Sequence, residues 1–97
     1  MDYKLRWSEE SIRNLEEILD YLHNKWTDKE VNNFKKKLSY QIDLIIQNPF
    51  MFPSSIHKNN LRKAVLSKQT TIFYEIIDKV IFLAYIHVNK KDIERIK

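Results

Sequence analysis

The apolar positions of the chain change period part-way along it. Tyr3 to Trp7 alternates apolar and basic side chains, the period of a half-buried strand. Ser8 is placed to cap a helix, with Glu9 and Glu10 in the first turn, where the helix dipole favours anions. Ile12, Leu15, Ile18, Leu19, Leu22 and Trp26 then fall at helical spacing, and Arg13, Glu17, Asp20 and Asn24 supply a solvated opposite face. Thr27-Asp28-Lys29-Glu30 has the form of a capping box, in which hydroxyl and carboxylate each satisfy an orphan amide, so a second helix is expected to start there. Its stripe of Val31, Phe34, Leu38, Ile42 and Ile45 runs to Asn48-Pro49, where the residue before proline is pushed out of the helical region. So short a connection between the helices predicts an antiparallel α-hairpin with one shared apolar face.

Residues 49–60 hold both prolines, two serines and two asparagines and read as a loop, with Phe50, Met51 and Phe52 expected to tuck its start against the helices. Beyond it the period becomes that of strands. Leu61 to Leu66, Thr70 to Ile77 and Val80 to Val88 are rich in β-branched and aromatic residues and are separated by Ser67-Lys68-Gln69 and Asp78-Lys79, which predicts a three-stranded antiparallel meander. Asp78-Lys79 lacks the glycine that a tight hairpin prefers, so this turn is expected to be wider than two residues or strained at Lys79. Asn89 to Lys97 is a basic tail too short for a substantial helix. The fold class is therefore α+β: an N-terminal strand, then an α-hairpin of two antiparallel helices packed on a mostly antiparallel sheet, which the C-terminal three-strand meander completes (β-α-α-β-β-β). Residues 1–97 read as a single domain. Two helices cover one face of such a sheet and leave the other open.

Charge identifies what gathers near that open face. Residues 1–47 carry 8 basic and 9 acidic side chains (net −1), whereas residues 48–97 carry 9 and 4 (net +5). The second half is the electropositive one, and an acidic macromolecular partner is the physical expectation. With no cysteine, the chain has no thiolate metal site, disulfide or Cys nucleophile; with no glycine, it has no phosphate-cradling loop, dinucleotide fingerprint or nucleophile elbow. No cofactor is expected. No stretch approaches a membrane span, and the first residues lack a signal-peptide core, so a cytoplasmic location is expected.

The order of elements resembles the RelE/ParE superfamily of type II toxin–antitoxin toxins. The resemblance is carried by Ile45-Ile46-Gln47-Asn48-Pro49 closing the helix pair, Leu61-Arg62-Lys63 opening a strand, Ile72-Phe73-Tyr74-Glu75-Ile76-Ile77-Asp78, and the closing Ile86-His87-Val88-Asn89-Lys90-Lys91-Asp92. It implies a bacterial growth-inhibiting toxin neutralised by a small antitoxin that wraps an extended or helical segment around it. RelE-like members cleave messenger RNA on the ribosome and ParE-like members inhibit DNA gyrase. Where ribonuclease members typically place an arginine in the middle strand this chain has Thr71, and no tyrosine follows Tyr85 to match their C-terminal catalytic one. His87 with Lys90 and Lys91 is similar to the ParE-like ending, though Val88 and Asn89 differ from its usual pattern. The resemblance thus implies a ParE-like gyrase inhibitor, with a ribosome-dependent endoribonuclease and an inactive scaffold that only binds its antitoxin as the alternatives.

Each reading assigns residues. A metal-independent ribonuclease needs cations to stabilise a dianionic phosphorane and a group that titrates near neutrality; Arg62 and His87 are the candidates, with Lys63, Lys68, Lys90 or Lys91 holding phosphates. On strand alternation Arg62 shares a face with Ala64 and Leu66, and His87 with Leu83 and Tyr85; whether those faces coincide depends on register. The plainer reading has Arg62 bonding backbone at the sheet margin and His87 as a polar strand end. Tyr74 and Tyr85 point either into the core or onto the open face, where they would suit an antitoxin or target. A binding surface would then comprise Arg62, Lys63, Lys68, Tyr74, Tyr85, His87, Lys90 and Lys91. His23, His57 and His87 are scattered without matched carboxylates, so no metal site is expected. Lys35, Lys36 and Lys37 diverge around their helix as a solvated run. Trp7, Trp26, Phe34 and Tyr40 are expected in the core.

Overall fold

The computed structural model describes residues 3–56 and 60–88. Its elements are β1 (Lys4–Trp7), α1 (Glu9–Lys25), α2 (Asp28–Gln47), β2 (Arg62–Val65), β3 (Thr70–Ile77) and β4 (Val80–Val88). This is the α+β order the hydrophobic pattern predicts. Both helix starts are set locally. The Ser8 hydroxyl accepts from the Ser11 amide, and at α2 the Thr27 hydroxyl accepts from the Glu30 amide while the Glu30 carboxylate accepts from the Thr27 amide, completing the capping box. Only Trp26 and Thr27 separate the helices. α2 stops at Asn48, whose amide still donates to the Leu44 carbonyl before Pro49 ends the ladder.

The sheet has the order β1-β4-β3-β2, with β4–β3 and β3–β2 antiparallel and β1 parallel to β4. The last strand of the meander is thus inserted between the first strand and the rest. The helices cover one face. Leu38 and Ile45 of α2 pack there with Ala64, Ile72, Tyr74, Ile81 and Leu83, and Ile18 and Leu22 of α1 pack with Val31 and Ile86. Full burial of side chains such as Leu22 or Ile72 contributes about 1.5–3 kcal/mol each.

Some expectations change. The buried stripe of α1 starts at Ser11 and runs through Ile18 and Leu22, which leaves Ile12 45% exposed. Tyr40 is 66% exposed, because two residues past the buried Leu38 the helix has turned about 200°. Trp7, Trp26 and Phe34 do pack against the core clusters. Phe50 and Met51 are exposed, and only Phe52 packs inward. The Asp78-Lys79 turn is two residues long, since Ile77 pairs with Val80, and the positive φ falls on Asp78 (55°) instead of Lys79. Aspartate tolerates the left-handed region better than lysine because its short polar side chain bonds locally. Among the described residues, no helix is long and apolar enough to cross a membrane.

Candidate functional site: the open face of the sheet

Residues paired across neighbouring strands share a face, so the register sorts the candidate side chains. On the face away from the helices the pairings form rows. One runs Val65–Thr71–His87 and the next Lys63–Phe73–Tyr85. A third runs Glu75–Phe82–Arg6, and the last Ile77–Val80–Lys4. Phe73 and Tyr85 stack at the centre with ring centroids 4.7 Å apart and planes inclined by 20°. Lys63, Lys4, Arg6 and His87 around them are exposed. Glu75, the one acid in these rows, accepts a hydrogen bond from the Asn60 side-chain amide. The result is an aromatic strip with cations on both flanks and, among the described residues, no helix over it.

This arrangement depends on one irregularity. Tyr74 pairs with Leu83 and Phe73 with Tyr85, so Ala84 is the extra residue of a β-bulge. Simple alternation puts Leu83, Tyr85 and His87 on one face. The bulge instead leaves Leu83 fully buried under the helices and turns Tyr85 and His87 outward.

The other candidates fall elsewhere. Arg62 pairs with Tyr74 and so belongs to the helix-side face. Its guanidinium donates to the carbonyls of Phe50 (3.3 Å) and Phe52 (2.5 Å) and lies 5.0 Å from the centre of the Phe50 ring. That matches the plainer reading of Arg62 as a backbone binder at the sheet margin. Arg62 and His87 therefore stand on opposite faces and in different rows, and the structure does not bring them together. Tyr74, a candidate for the binding surface, is instead completely buried and donates its hydroxyl to the Pro49 carbonyl at 2.6 Å. Burial pushes its pKa up to about 12, while the nearby Arg62 charge pulls it down. Together Arg62 and Tyr74 strap down the start of the 49–60 loop, which also donates from the Ser55 amide to Leu61 and accepts from the Lys63 amide at Pro53. Lys68 is exposed in the β2–β3 turn. Lys90 and Lys91, like His57, lie outside the described residues. Arg6, Lys4, Phe73 and Phe82 were missing from the expected site. The first two belong to β1, and only the parallel β1–β4 pairing carries their charges to this face.

Residues 5–95 match the family described as the ParE toxin of type II toxin–antitoxin system, parDE. The chain belongs to the ParE toxin family. Within the RelE/ParE superfamily its fold is shared with solved toxin structures at low identity. A chain of the chromosomal ParDE system of P. aeruginosa superposes with a TM-score of 0.75 at 14% identity, over 89% of this chain and 95% of that one. The E. coli DinJ–YafQ toxin–antitoxin complex contains a chain matching at 0.65 and 14% identity, over 94% and 97%. The toxin–antitoxin complex RelBE2 of Mycobacterium tuberculosis gives 0.61 at 11% identity, over 92% and 100%. No curated protein sequence matches. Family membership makes this chain a type II toxin, and the geometry of its open face bears on how such a toxin acts.

Proposed function

We propose that this ParE-family toxin arrests growth by docking its open sheet face on DNA gyrase, and that a cognate antitoxin neutralises it by covering the same face. The observation that carries the reading is the stacked Phe73–Tyr85 pair with Phe82 beside it and Lys4, Arg6, Lys63 and His87 around it. Aromatic side chains ringed by cations are what protein hot spots are made of: rigid apolar area at the centre, charge at the rim for steering. The engagement of Arg62 with loop carbonyls, on the far side of the sheet from His87, speaks for a binding surface over a catalytic pair. The antitoxin segment that fits is acidic and orders on binding. Its partner toxin acts in the cytoplasm, where gyrase works.

The test is induction of the toxin with two readouts side by side. DNA supercoiling falls while translated messages stay intact, and purified gyrase loses supercoiling activity in the presence of the toxin. Rapid cleavage of messages at codon positions would overturn this in favour of a ribosome-dependent endoribonuclease. Growth unaffected by induction, with the antitoxin still bound, would identify a scaffold without toxicity.

A further inference from the structure

We infer that Ser8 and Asn14 are positioning residues for the open-face site: they hold the Ala84 bulge in the geometry that aims Tyr85 and His87 away from the helices. For its functional consequence the inference rests on the open-face reading above. β1 ends at Trp7, opposite Leu83, so among the described residues the second half of β4 has no strand beside it on that edge. Side chains and backbone of α1 and its cap take the place of the missing strand. The Ser8 amide donates to the Leu83 carbonyl (3.1 Å), the Ser8 hydroxyl donates to the Ala84 carbonyl (2.6 Å), and Asn14 Oδ1 accepts from the Ile86 amide (2.9 Å). These three contacts flank the bulged residue on both sides.

The chemistry at Ser8 is demanding. Its hydroxyl accepts from the Ser11 amide as the helix cap and simultaneously donates to Ala84. Asp suits the first task as well as Ser does but has no proton for the second. The hydroxyl does both with one oxygen atom, so Ser8→Asp separates helix capping from bulge anchoring. Ser11, fully buried beneath it, donates its hydroxyl to the Ser8 carbonyl and fixes the cap residue from the other side. The hydroxyl whose oxygen completes the cap thereby, through its proton, holds the bulge that sets which side chains of β4 face outward.

The experiment compares Ser8→Asp with Ser8→Thr in the full chain, following aromatic proton shifts of Phe73 and Tyr85, amide exchange at Ile86, helix content and growth arrest. Ser8→Asp is expected to keep its helix content, to move the ring-current shifts of the stacked pair, to speed exchange of the Ile86 amide severalfold as the loosened bulge draws it off Asn14 Oδ1, and to weaken growth arrest. Ser8→Thr is expected to match the unsubstituted toxin in all four. Unchanged Phe73 and Tyr85 shifts and unchanged Ile86 exchange in Ser8→Asp would overturn the inference. Should Ser8→Asp fail to fold, Asn14→Leu against Asn14→Asp asks the same question from the other flank: only the leucine removes the acceptor, and equal Ile86 exchange in the two would overturn it. If the ring signals move in Ser8→Asp but Tyr85→Ala leaves growth arrest intact, the positioning stands and the open-face reading is what fails.

Discussion

Replacing Tyr74 by phenylalanine removes one atom from the centre of the protein and has a pH-dependent consequence that can be worked out beforehand. The ring keeps its edge-on contact with Phe52, with centroids 6.3 Å apart at 86°, so packing is conserved. What is lost is the hydroxyl's hydrogen bond to the carbonyl of Pro49, itself a buried residue. A buried acceptor deprived of its donor costs about 1–3 kcal/mol, and each 1 kcal/mol is worth roughly 4–8 °C in Tm for a domain of this size. At neutral pH Tyr74→Phe is therefore the less stable protein. Alkali reverses the trend. Burial raises the Tyr74 pKa from 10.0 to about 12, so the fold favours the neutral phenol. Stability from such a group is complete below the unfolded pKa and is lost as pH climbs through the folded one. From these two values the native protein gives up on the order of 1 kcal/mol by pH 11 and roughly 2–3 kcal/mol once pH is well past 12. Phenylalanine cannot ionise. Urea unfolding of the pair between pH 7 and pH 11.5 should show the gap in ΔG narrowing from pH 10 upward, at equal m-values. Parallel curves with constant spacing would show that the Tyr74 hydroxyl is not desolvated, and the reasoning would be refuted.

Three further outcomes follow from the same structure. Arg62→Met frees the carbonyls of Phe50 and Phe52, so chymotrypsin should cut the 50–52 segment severalfold faster; Arg62→Lys, which keeps the charge but not the planar fork, should be cut nearly as fast. Thr27→Ala should cost about 1 kcal/mol by unfolding of the capping box, whereas Thr27→Ser should be close to neutral. Asp78→Val, a β-branched residue at positive φ, should cost at least about 1–2 kcal/mol, with Asp78→Gly keeping a Tm at or above that of the unsubstituted chain.

Features that rest on neighbouring residues are readable in the sequence. Thr27 to Glu30 announces its helix because both partners of each capping bond lie within four residues, and Asn48-Pro49 ends that helix through a local clash. The strand runs are legible for the same reason. The composition of the open face is not, because it depends on contacts between distant parts of the chain. Lys4 and Arg6 reach it through a parallel pairing with β4. Tyr85 and His87 reach it because a bulge changes the parity of β4, beside which the Ser8 hydroxyl at the cap of α1 and the Asn14 carboxamide within α1 bond the β4 backbone. Tyr74 and Tyr85 look equivalent by alternation and end on opposite faces. Arg62 looks like a reactive cation until the Phe50 and Phe52 carbonyls are seen to occupy it. Nothing in the residue types of Phe50 and Met51 tells that the loop turns them outward.

The place of β4 in the sheet also governs when during synthesis the fold can close. β4 follows every other described element, yet it lies between β1 and β3 and touches α1. Until it leaves the ribosome, β1 has no partner, the α-hairpin has only the small β2–β3 hairpin to pack on, and the aromatic strip is missing Phe82 and Tyr85. Pairing Lys4 with Val80 closes almost the whole chain at once, which makes folding late and cooperative. On the open-face reading proposed above, a product that stops before β4 lacks Phe82 and Tyr85 and has no aromatic strip to dock with.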